Sequence, residues 1–156
     1  MRPPLLSILI ESGWLLLMAG FAFVCAIPFQ EIIAREFLML TIILSLLFAF
    51  YFRMVIFFRQ IFYLKFLAVQ VLLFFSNPLL FVKTLSKMQE MFALFDSHDL
   101  LHFIVPGFQA STYQMNDAYH FFKKEFVLFS VGLLILIVFT ELRIVLAFVE
   151  RIKKIE

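Results

Sequence analysis

Glu11, Arg53, Arg59, Glu141 and Arg143 lie within, or at the edges of, apolar stretches of membrane length. Side chains of this kind can do two sorts of chemistry in such a place. Carboxylates and guanidinium groups can hand protons or ions along a path through hydrocarbon. They can also pair with one another and so fix which helices pack together, with the arginines reaching toward headgroups. An isolated charge at that depth costs several kcal/mol, so either role requires a partner.

The elements that must position these charges follow from composition. The chain has 156 residues, 64% of them hydrophobic and 15% charged, with 24 Phe. A soluble domain carries roughly 25% charged residues, and at this length could not bury so many Phe, Leu and Ile. A membrane helix needs ~20 mainly apolar residues. Four stretches meet or approach that length, giving spans at about 5–27, 37–58, 61–82 and 121–149. The expected fold is an all-α integral membrane protein in one domain, residues 1–156. It is a four-helix transmembrane bundle, with an extracytoplasmic amphipathic segment at 83–120 between the third and fourth spans. Leu5–Ile27 is too long for a secretory signal, holds Glu11 and lacks a small-x-small cleavage site before Pro28, so it reads as a retained span.

Arg53, Arg59 and Lys65 are six residues apart. Six residues turn a helix ~600°, so these charges share no face. The segment Tyr51–Lys65 therefore reads as a helix end, a turn and a new helix start. In the outer segment, Leu85, Met88, Met91, Phe92, Leu94 and Phe95 fall on one side of a helix and Ser86, Lys87, Gln89, Glu90 and Asp96 on the other. Pro106-Gly107 marks a turn, and Asn116-Asp117 is the expected cap of the last helix.

Four spans put both termini on the side of the Arg53–Lys65 turn. That side holds Arg2, Arg53, Arg59, Lys65, Arg143, Arg151, Lys153 and Lys154, against Arg35, Lys83, Lys87, Lys123 and Lys124 opposite. The excess of positive charge predicts cytoplasmic termini in an inner, cytoplasmic membrane. Glu11 then lies ~9 Å inside from that face, Arg143 at similar depth and Glu141 ~3 Å deeper, counted at 1.5 Å per residue. With Arg53 closing the second span, Glu11, Arg53, Glu141 and Arg143 are expected to form one inner-leaflet layer, either a structural network or a conducting one.

The first span also carries small residues in a stripe. Ser12, Ala19 and Ala26 are seven apart, as are Gly13 and Gly20. Small side chains let a neighbouring backbone approach, which is how membrane helices gain packing energy. The neighbour is either another helix of the same chain or a second subunit. At the C-terminus Arg143, Glu150, Arg151 and Lys154 offer a charged stripe for a cytosolic protein partner.

Other signals for chemistry are sparse. His98 and His102 are four apart and can share a helix face, with His120 further on. No catalytic Glu stands between the first two, and two His alone do not make a metal site. Asn77-Pro78 predicts a kink in the third span. There is no phosphate loop, no nucleophile elbow, and no basic block large enough for nucleic acid. The chain is thus expected to be a non-enzymatic membrane subunit, without cofactor or bound metal, that anchors, assembles or senses within a larger membrane complex; a metal-binding or enzymatic membrane protein using the histidines of the outer segment is a further alternative. Its partners are the lipid bilayer and either copies of itself or other membrane subunits, with an oligomeric ion or proton channel as the competing reading.

Overall fold

A computed structural model describes residues 4–27, 30–58, 61, 63–97, 103–105 and 111–153. Four helices make up nearly all of it: α1 (Pro4–Ala26), α2 (Arg35–Phe57), α3 (Leu67–Asp96) and α4 (Thr112–Ile152), with a short 3-10 turn at Tyr63–Lys65 before α3. All four are long and apolar enough to cross a membrane. At 1.5 Å per residue α4 is about 60 Å long, twice a ~30 Å hydrocarbon layer, so it must project from any membrane it crosses.

Three hydroxyls of the apolar runs bond within their own helix. Thr41 Oγ1 donates to the Phe37 carbonyl at 3.1 Å, Ser45 Oγ to Thr41 at 2.8 Å and Thr140 Oγ1 to Leu136 at 2.8 Å. Each hydroxyl is therefore satisfied by its own backbone and needs neither water nor a neighbouring helix. Pro78 lies inside α3, where its missing N–H leaves the Phe74 carbonyl without its helical donor.

Two boundaries differ from the sequence reading. The third span and the amphipathic segment are one helix, because nothing between Leu79 and Asp96 is Gly or Pro and no other local signal breaks the helical period. The fourth helix starts at Thr112 rather than near residue 121, and Asn116-Asp117 lies inside it. Its cap is Ser111, whose hydroxyl accepts from Gln114 N at 3.3 Å while the Gln114 side chain accepts from Ser111 N at 3.3 Å. This reciprocal capping box satisfies two backbone donors that a helix start leaves open.

α2 is central. It packs against α1 on one side and α4 on the other, and α3 packs against α4. Two ends can be told apart. At one, Ile32–Ala34 and Phe103–Val105 are tied by Ala34 N to the Phe103 carbonyl (2.8 Å) and Val105 N to the Ile32 carbonyl (3.0 Å). This loop end holds an aromatic core in which Phe95 meets the rings of Phe103, Tyr119, Phe122 and Phe126 at 5.4 to 6.1 Å between centroids. The apolar side of the amphipathic stretch, Met91 and Phe95, is what α3 contributes to that core. At the opposite end, Arg151 Nη2 donates to the Lys65 carbonyl at 2.8 Å, so the C-terminal helix lies beside the α2–α3 turn.

Candidate functional site: buried polar centres between the helices

The first centre joins α1 to α2. Arg53 belongs to the last turns of α2, and its side chain is only 5% exposed. Its Nη2 donates to Glu11 Oε2 at 2.5 Å, and its Cζ stands 5.3 Å from the centre of the Trp14 ring. Glu11 and Trp14 are three residues apart on α1, hence on one face, so they close on the guanidinium together. A charge-assisted bond and a cation–π contact thus balance most of the cost of holding Arg53 away from water. Arg53 Nε has no hydrogen-bond partner among the described residues.

The second centre joins α2, α3 and α4. Tyr51 Oη donates to Asn77 Oδ1 at 2.7 Å, and Asn77 Nδ2 donates to Glu141 Oε2 at 2.7 Å. Asn77 is fully buried and Tyr51 is 3% exposed. Asn77 stands immediately before the helix proline. An amide there can donate and accept at once, so it links a hydroxyl on one helix to a carboxylate on another.

Of the four expected network residues, the structure joins Glu11 to Arg53. Glu141 is joined to Asn77 and Tyr51, not to an arginine. Arg143 is exposed and lines a third place, a recess beside the α2–α3 turn. The reason lies in helix geometry. Tyr51 and Arg53 are two residues apart, as are Glu141 and Arg143, and two residues turn a helix ~200°. Residues at equal depth therefore look in opposite directions. Depth along the chain gave the layer, but helix phase divides it into three.

The small-residue stripe of α1 divides as well. Met18, Ala22 and Ala26 are buried, and together with Glu11 and Trp14 they form the face toward α2. Ser12, Gly13, Ala19 and Gly20 are exposed, and a Cβ added at Gly13 or Gly20 would meet nothing within 4 Å. Of the proposed C-terminal docking stripe, Arg143 and Glu150 are exposed and Arg151 half-buried, while Lys154 lies outside the described residues. His98, His102 and Arg59 also lie outside them. His120 is exposed, with its ring centre 5.5 Å from that of Tyr119. Among the described residues no three His, Cys, Asp or Glu are grouped to hold a metal.

Sequence reading did not pick out Tyr51, or Asn77 as a polar partner, and placed Trp14 only as an interface residue. It also missed Glu125, whose Oε2 is buried on α4 without a hydrogen-bond partner among the described residues. Glu125 follows Lys123-Lys124 in the chain and so resembles the wet end of a span. Comparison of the chain with protein-family models, with curated proteins and with solved structures found no match.

Proposed function

We propose that this protein is a small multi-pass subunit, without enzymatic activity, that anchors and assembles within a larger membrane complex. Both termini face the cytoplasm, and the loop end with its aromatic core lies on the outer side. The observation that carries this reading is the open face of α1. The helix is held to α2 through Glu11, Trp14, Met18, Ala22 and Ala26, and leaves Ser12, Gly13, Ala19 and Gly20 exposed, with open space beside the two glycines. Small residues on a lipid-facing surface leave a groove that lipid chains fill poorly and a second helix fills well. The occupant is a second copy of this chain or a helix of another membrane subunit.

The competing reading is an oligomeric channel. What favours it is the presence of two buried polar centres at membrane depth. What weighs against it is their pairing: Arg53 with Glu11, and Glu141 with Asn77 and Tyr51, so both centres are largely satisfied without an ion. Conductance across liposomes carrying the purified protein separates the two readings.

Cysteine cross-linking in native membranes tests the assembly role. In a Cys25→Ser background, Gly20→Cys should give an adduct of at least twice 18.4 kDa on mild oxidation, whereas Ala22→Cys, on the buried face, should not. Monomer alone at both positions would refute assembly of two copies of this chain through this face.

A further inference from the structure

At the end where α1 begins and α4 ends, α4 and the residues just before α3 border a recess of about 500 Å³. Among the described residues, Lys65, Arg143 and Arg151 line it beside the carboxylate Glu150, and Leu146 and Phe58 form part of its wall. We propose that this recess binds the phosphate of an anionic phospholipid headgroup.

Three observations converge on this assignment. The first is charge: among the described residues, three cations and one carboxylate leave the lining with an excess of two positive charges. The second is a backbone held in place from both sides. Gln70 is 3% exposed and its Nε2 donates to the Leu64 carbonyl at 2.6 Å, while Arg151 donates to the Lys65 carbonyl at 2.8 Å. The turn that carries Lys65 is thereby fixed by α3 and by α4, so its ammonium is presented on an ordered backbone. The third is the surroundings. Phe66 and Leu67, next to Lys65, are half exposed, as is Leu146 on α4, so the cations sit at the edge of an apolar surface. Cations above apolar helix flanks match a lipid, whose headgroup is anionic and whose chains are not, whereas a free phosphate ester would use only the cations. Arg and Lys serve phosphate here in different ways, the guanidinium by paired N–H groups and the ammonium as a point charge.

This inference needs only that a membrane surrounds the four helices. It does not depend on assembly through α1, and the cross-linking result leaves it untouched.

The test uses the full chain in mild detergent, with bound lipid counted by native mass spectrometry. Phosphatidylglycerol should be retained at least tenfold over phosphatidylcholine of the same chains. Lys65→Gln and Arg143→Gln should each weaken retention about fivefold, since a cation near an anionic surface contributes on the order of 1 kcal/mol. Arg143→Lys, which keeps the charge, should lose less than Arg143→Gln. Both residues are exposed, and unchanged Trp14 fluorescence will report that the fold is intact in each variant. Millimolar inorganic phosphate should not displace the lipid. Displacement by it would overturn the lipid assignment in favour of a free phosphate ester. Equal retention of the two lipids, or retention indifferent to both Gln variants, would overturn the site itself and return this face to a protein partner.

Discussion

Removing either member of the Arg53–Glu11 pair should cost more than removing both. Glu11→Gln leaves a guanidinium that is 5% exposed without its carboxylate, and its Nε already lacks a partner. Breaking a buried pair from one side costs about 3–5 kcal/mol in general. Two features reduce that figure. Glu11 is 19% exposed, and the Trp14 ring still faces the cation at 5.3 Å, a contact worth ~1 kcal/mol. A loss of about 3 kcal/mol is therefore expected for Glu11→Gln. Arg53→Met should cost about 2 kcal/mol, because the stranded Glu11 is 19% exposed and keeps part of its hydration. The double variant carries no charge in this place and should lie within ~1.5 kcal/mol of the parent. The single tryptophan of the chain stands at the pair, so its fluorescence during denaturation in mixed micelles reports on this contact directly. Singles within ~0.5 kcal/mol of the parent, or a double variant that costs the sum of the singles, would show that the two charges do not depend on each other.

Two further substitutions probe the rest of the interior. Asn77→Leu removes both bonds of the second centre and should destabilise by about 2 kcal/mol, while Tyr51→Phe, which removes one donor, should cost about 1 kcal/mol. The same unfolding assay checks both, and equal effects would contradict the linking role of Asn77. Gly132→Ala places a Cβ 2.6 Å from Phe48 Cε2, in a ring already packed against Phe52 and Phe129. It should cost 1 kcal/mol or more (~1–3 is usual for overpacking), and Phe48→Leu in the same chain should restore most of the loss.

The four helices were legible because each rests on one strong signal, an uninterrupted apolar run. Their ends were less so. The run from Leu67 through Asp96 changes from wholly apolar to amphipathic without a breaking residue, and a composition shift alone does not end a helix. Ser111 and Gln114 form a recognisable capping pair, but they precede the apolar run by ten residues and more, so the run itself does not mark where the helix starts. The charged residues were found because a charge is conspicuous in an apolar stretch. Their partners were harder to see. Tyr51 and Asn77 are unremarkable in type, and only the phase of three packed helices brings them to Glu141. The same phase turns Arg143 away from Glu141 and toward Lys65. Depth can be read along one dimension of sequence, whereas azimuth depends on which neighbour each helix meets.

Assembly through α1 is the central claim, and mass measurement in mild detergent tests it most directly. The parent should run as a complex larger than one 18.4 kDa chain. Gly20→Leu should reduce it to the monomer without lowering the unfolding free energy of that monomer, since no described residue lies within 4 Å of a Cβ at this position and Leu favours the helix over Gly. A monomeric parent, or a Gly20→Leu variant that keeps the full complex mass, would contradict the account.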